Sequence, residues 1–277
     1  NATITGAPIS YGKFNTGATS TNLGMRSGIV LTTGSRAGVI GPNGNPGETT
    51  NNGTPGNAQL TGVAGVQTND ACVLQFQFDV QSGSIEFKYV FGSDEYPEYV
   101  NAGFNDVFAF YISGPGITGW QNIALVPNTT TPVTIDNIND GSYWQYYVNN
   151  ENGTTIEYDG FTRSLVAKKT GLIPCQTYTL RLAIADAGDG QWDSGMFLEA
   201  NSLSTKTPIE IDYTLSQQVY PNPDRLAEGC VSSTVTLTRQ NNLSSALTIP
   251  VQLSGTATNG QDYSGIPASI SFGAGQN

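Results

Sequence analysis

Two neighbouring runs in this chain alternate apolar and polar side chains with a period of two. Leu74, Phe76, Phe78 and Val80 are separated by Gln75, Gln77 and Asp79; Ile85, Phe87, Tyr89 and Phe91 follow, with Glu86 and Lys88 between them. Only an extended strand gathers such residues on one buried face and leaves the other wet. Gln81-Ser82-Gly83 between the runs reads as a turn, so the two strands are expected to form a hairpin. Val107–Ile112 (VFAFYI) is almost wholly apolar, as in a central strand covered on both sides. Tyr178, Leu180, Leu182 and Ile184 alternate again, while Met196–Leu198 and Gly28–Gly34 read as short strands. No long stretch carries a 3.6-residue period. These strands predict an all-β chain built as a jelly-roll-like antiparallel β-sandwich.

The composition agrees with short strands joined by many loops. The 277 residues include 33 Gly and 14 Pro, and only 12% are charged. Gly41 to Gly56 (GPNGNPGETTNNGTPG) is expected to be a long surface loop that buries almost nothing. A boundary is expected near residues 204–212, where a polar stretch carries Pro208. It divides the chain into a first sandwich, 1–205, and a second unit, 206–277. The second has its own strand pattern at Val231, Val235 and Leu237, at Leu247, Ile249, Val251 and Leu253, and at Ile270 and Phe272. At about 70 residues it is short of the ~100 of an immunoglobulin-like sandwich. It therefore reads as an incomplete one, with an open edge that invites another chain.

Several functions are excluded. A net charge of −11 repels nucleic-acid phosphates. The absence of histidine removes Ser-His-Asp and Cys-His catalysis and His-ligated zinc. No apolar run is long enough to span a membrane, and no signal peptide is visible at Asn1, so the chain reads as a mature or excised piece. Of the three cysteines, Cys72 and Cys175 are the first candidates for a disulfide; two buried reduced thiols are the alternative.

What remains is carboxylate chemistry. Asp94, Glu95 and Glu98 form a dense acidic segment after one strand, with Asn105 and Asp106 at the mouth of the next. Asp186, Asp189 and Asp193 form a second cluster between two strands. Calcium takes six to eight oxygens from carboxylates, amides and backbone carbonyls, and glycine lets the backbone turn its carbonyls inward. These eight residues are the candidate calcium ligands, although the spacing is not that of an EF-hand. The alternative is solvated acidic turns. Glu95, Glu98 and Asp106 could also supply a glycosidase carboxylate pair. Tyr96, Tyr99 and Trp192 could stack on sugars or pack the loops. The segment Tyr143–Tyr158 is rich in aromatics, either an exposed ligand surface or ordinary core.

The runs FGSDEYPEYV (91–100), FNDVFAFYISGPG (104–116), NIALVP (122–127), YDGFT (158–162), PCQTY (174–178), LAIADAGD (182–189) and DSGMFLEA (193–200) resemble the choice-of-anchor L domain over roughly residues 1–205. That resemblance implies a large bacterial surface protein with a variable anchor, often exported by the type IX system of gliding bacteria. It brings no catalytic residues. Glu228-Gly229-Cys230, GTATNGQDY (255–263) and SISFGAGQ (269–276) resemble a Calx-β domain. Calcium-binding members use a glutamate near the position of Glu228 and an acid just before the Gly-Thr-Ala stretch. Ser254 replaces that acid here, so this unit reads as a stalk, with Asp262-Tyr263 stabilising a turn.

The resulting expectation is an extracellular, non-catalytic structural or adhesive module of a secreted surface protein, or one repeat of a filament, stiffened by calcium. Its expected partners are neighbouring domains or subunits, the secretion machinery, or glycans. The alternatives are a carbohydrate-binding jelly roll and, behind it, a carboxylate-based glycoside hydrolase.

Overall fold

The computed structural model describes residues 1–17, 21–204, 209–217, 229, 231–239, 243 and 246–277. The chain divides into two compact units, 1–205 and 206–277. In chain order the first runs β1 (Ala2–Thr5), β2 (Tyr11–Asn15), β3 (Ser27–Thr32), α1 (Ala58–Ala64), β4 (Thr68–Asp79), β5 (Ser84–Ser93) and β6 (Val107–Ser113). It continues with β7 (Gln121–Asn122), β8 (Tyr147–Asn149), β9 (Gly160–Thr162), β10 (Leu165–Thr170), β11 (Thr177–Ala187) and β12 (Ser194–Glu199).

The strands form two antiparallel sheets. One has the order β1-β4-β11-β6-β7. The other runs β2-β3-β12-β5-β9-β8, with β10 also paired to β5. The all-β sandwich is as expected, but the β4–β5 hairpin is not formed. β4 pairs with β1 and β11, whereas β5 pairs with β12, β9 and β10. Gln81-Ser82-Gly83 carries the chain from one sheet to the other. Both alternating faces then point inward from opposite sides instead of lying side by side.

The core between the sheets is aromatic. Phe87 and Tyr89 of β5 meet Phe110 of β6 at ring-centroid distances of 4.9 and 4.8 Å, and Phe91 stacks on Phe108 at 4.9 Å. Such pairs add about 0.5–1.5 kcal/mol each beyond the area they bury. β6 is covered on both faces, as its unbroken apolar run requires. Phe108, Phe110 and Ile112 enter the inter-sheet core, and Val107, Ala109 and Tyr111 pack with Leu60 of α1. That helix is too short for its period to be read from sequence. Asn57 caps it by accepting the amides of Gln59 and Leu60, and Gly65 ends it in the left-handed region. Loops cover the outer face of the other sheet, where Leu23, Met25, Val39, Ile156 and Tyr158 pack on Val30, Val90 and Phe197.

Cys72 and Cys175 are both free. Cys72 lies opposite Ile184 near the start of β4, while the Cys175 amide donates to Val80 just past its end. At roughly 3.3 Å per residue that separates them by about 25 Å, far beyond disulfide reach. The expected pair is not formed. Burial pushes the Cys72 thiol up to about 11.

In the second unit β13 (Ile209–Leu215) pairs with β14 (Ser233–Arg239), and β15 (Leu247–Pro250) with β16 (Ser269–Phe272). Asp262 closes a turn by accepting the Thr258 amide at 2.6 Å, beside a bridge between Asn259 and Tyr263. The boundary residues Lys206 to Pro208, and Glu228 and Cys230, lie outside the described residues.

Candidate functional site

Topology brings the two acidic segments to one end of the sandwich. β5 and β12 are antiparallel, with Ser93 opposite Ser194, so β5 ends where β12 begins. β6 and β11 are antiparallel with Val107 opposite Ala185, so β6 begins where β11 ends. The β5–β6 loop and the β11–β12 loop therefore share that end. Tyr99 of the first loop packs edge-on against Trp192 of the second at 4.4 Å, and against Phe104 at 5.2 Å. Tyr96 is fully buried and donates its hydroxyl to Ile138 O at 2.6 Å. These aromatics pack the loops and do not form an open sugar platform.

Beneath them lie carboxylates that water does not reach. Asp94, Glu95, Asp106, Asp186 and Asp193 are all buried. Asp106 accepts the Ala187 amide on Oδ1 at 2.8 Å and the Ser194 hydroxyl on Oδ2 at 2.6 Å, tying β6 to both loop-bearing strands of the other pair. Asp94 Oδ1 accepts the Asp159 amide at 3.1 Å, but its Oδ2 has no partner. Glu95 Oε2 is likewise unpartnered. So are both oxygens of Asp186, a residue only 1% exposed. The Thr33 hydroxyl faces Asp186 but donates to Ser194 O at 3.4 Å, and it can turn to only one of these acceptors.

Burial, followed by neighbouring negative charge, raises the proton affinity of each of these groups. Desolvation and then Asp159 push Asp94 to about 9; desolvation and then Asp106 push Glu95 to about 10. Burial takes Asp106 to about 8 against the relief of its two donors. Burial and then the charge of Asp106 raise Asp186 well above the usual carboxylate range. Asp193 rises only to about 6, because the Thr50 amide donates to both of its oxygens at 3.1 Å. The ion pairs Lys88–Glu199 and Lys168–Glu86 involve none of these acids.

The other expected ligands stand at the margin. Asp189 is half-buried and accepts the Gln191 amide. Asn105 accepts the Asp136 amide at 3.3 Å. Glu98 is exposed, turned away from the buried group. Among the described residues no three Asp, Glu, His or Cys side chains converge as a ready metal nest.

Three acids hold the 41–56 segment, and sequence reasoning passed over two of them, Glu157 and Asp70. Glu157 accepts the amides of Gly44 and Asn45 at 3.2 and 2.9 Å, Asp193 that of Thr50, and Asp70 those of Asn52 and Thr54 at 2.9 and 2.5 Å. The 41–56 segment is thus pinned at intervals by carboxylates, although it buries little itself. Asp70 and Glu157 are single acids far from the loop in sequence, and only the fold reveals them.

Glu95 and Asp106, at 2% and 0% exposure, are closed to a sugar, so they do not form the expected carboxylate pair with Glu98 across a cleft. A cavity of about 650 Å³ lies instead over the outer face of β2 and β3, lined by Phe14, Leu23, Val30, Ile40, Ile156 and Phe197, and no carboxylate lines it.

The family model of the choice-of-anchor L domain matches residues 1–204, which span both sheets and all of the acids above. The chain belongs to that family. No curated protein and no solved structure matches it. Membership makes the choice-of-anchor L domain described here a cell-surface module of a bacterial protein. The match ends at 204, so the Calx-β reading of the second unit rests on that unit's own residues. Among the described residues no helix is long and apolar enough to cross a membrane.

Proposed function

We propose that this chain is a non-catalytic structural and adhesive module of a large secreted surface protein, stiffened by calcium and exported by a type IX-like route. One observation carries the non-catalytic reading: Glu95 and Asp106, two of the three acids that could have formed a hydrolytic pair, are closed to solvent. Carboxylates in that position hold loops in place instead of meeting substrate. The second unit serves as a stalk of Calx-β type.

Deleting residues 1–205 from the parent protein tests this. Cells carrying the deletion should attach less well to glycan-coated or abiotic surfaces, and the purified module should release no reducing sugar from polysaccharides. Unchanged attachment would remove the adhesive role, and saturable sugar release would remove the non-catalytic one.

One observation favours carbohydrate as the surface recognised. Trp144 is 69% exposed on a 3-10 turn that follows Tyr143 in the left-handed conformation. Exposed indole rings suit stacking on sugar faces. Glycan-array binding that Trp144→Ala abolishes would support this reading.

A further inference from the structure

The carboxylates at the loop end fall into two groups by what their oxygens touch. Asp70, Asp193 and Glu157 accept loop amides, as described above. In Asp186, Glu95 and Asp94 there are oxygens that accept no hydrogen bond, and Asp186 has two, with the Thr33 hydroxyl its one available donor. Asp106 neighbours this second group, since its charge bears on both Glu95 and Asp186, while its own oxygens accept the Ala187 amide and the Ser194 hydroxyl.

Buried carboxylates without donors have two stable solutions. They can all take protons, or they can share a cation. Protonation satisfies this site badly. A proton held between two of these oxygens serves both, but it leaves the other buried carboxylates charged unless they too take protons and find acceptors. Thr33 can serve Asp186 only on one oxygen. A cation accepts every free lone pair at once and cancels the mutual repulsion.

The donors around this point are all oxygens, so the cation is a hard one. Among the described residues no three carboxylates already converge, so backbone carbonyls and water must complete the shell. That suits calcium, which tolerates an irregular shell of six to eight oxygens, better than magnesium, which demands near-ideal octahedral geometry. Gly188, with φ of 97°, lets the chain bend directly after β11, between Asp186 and Asp189.

We propose that one calcium ion is held between the β5–β6 and β11–β12 loops, ligated by Asp106 and Asp186 with Glu95 beside them, and with Asp94 neutralised from the next position. This locates the calcium of the function proposed above. Adhesion is read in a separate assay, so either can fail alone.

The test uses the purified full chain, stripped with chelator and titrated with calcium chloride by calorimetry and by thermal melting. One equivalent should bind, and the melting temperature should rise by about 5–10 °C at a free calcium near 100 Kd. Magnesium should give less. Asp186→Asn keeps the shape but removes the charge: it should fold by circular dichroism and lose the calcium-induced rise. Asp140→Asn, at an exposed acid, should keep it. Elemental analysis of unstripped wild-type protein should find one calcium per chain, a measurement that stands even if Asp186→Asn misfolds. The proposal is overturned if millimolar calcium gives neither saturable heat nor a thermal shift. It is also overturned by a wild-type calcium response in Asp186→Asn, an equal response to magnesium, or no calcium by elemental analysis.

Discussion

Replacing Asp70 gives the most direct measure of how the 41–56 segment is held. Asp70 is buried at the start of β4 and accepts the amides of Asn52 at 2.9 Å and Thr54 at 2.5 Å, and the Thr54 hydroxyl at 3.2 Å. Hydrogen bonds to a charged acceptor are each worth about 1.5–3 kcal/mol net. Asn52 and Thr54 are half-buried, so in Asp70→Ala the freed amides regain water and the lost bonds sum to about 2–4 kcal/mol. Asp70 also has φ of 46°, where alanine adds about 1–2 kcal/mol of left-handed strain. The expected loss is roughly 3–6 kcal/mol, or roughly 6–24 °C in melting temperature at about 2–4 °C per kcal/mol. Asp70→Asn tolerates that φ and keeps one accepting oxygen, so it should lose about half as much. Urea unfolding in saturating calcium gives the energies, and hydrogen exchange at the Asn52 and Thr54 amides shows whether the loss is local. If both variants stay within about 0.5 kcal/mol of wild type and those amides exchange as before, Asp70 is a solvated turn acid and the pinning argument fails.

Two further perturbations probe the same end of the molecule and the cysteines. A Cβ at Gly34 would stand 1.6 Å from Asp193 Oδ2; Gly34→Ala must expel that carboxylate from the Thr50 amide and should cost about 2–4 kcal/mol in urea unfolding, and a near-wild-type midpoint would contradict the close approach. Cys175 is exposed and Cys72 buried, so a maleimide should label Cys175 in the native protein and Cys72 only after unfolding, as read by peptide mass; native labelling of Cys72 would mean that β4 opens far more readily than its burial implies.

The sheets were legible because alternation reports which face of a strand is buried, and β4, β5 and β11 carry it, while β6 was legible from its unbroken apolar run. Alternation does not report which strand lies alongside. Two inward-facing strands joined by Gln81-Ser82-Gly83 read identically whether they pair edge to edge or face each other across the core, and here they face each other. The acidic end was half legible. Asp94, Glu95 and Asp106, and Asp186 and Asp193, stood out because local density marks a loop, and topology then joined the two loops. Glu98 shares that density but is turned outward. Asp70 and Glu157 gave no signal because each is a lone acid whose partners lie elsewhere in the chain, and α1 gave none because a seven-residue helix burying only Leu60 shows no period.

The pinned segment has a consequence for how this chain reaches its final shape. Asn45 waits for Glu157, 112 positions later, and Thr50 for Asp193, 143 positions later. Contacts of such long sequence separation form late, after the entropy of closing the intervening loop has been met. A chain emerging from its N-terminal end would therefore hold residues 41–50 unfinished until the β11–β12 turn had followed it out.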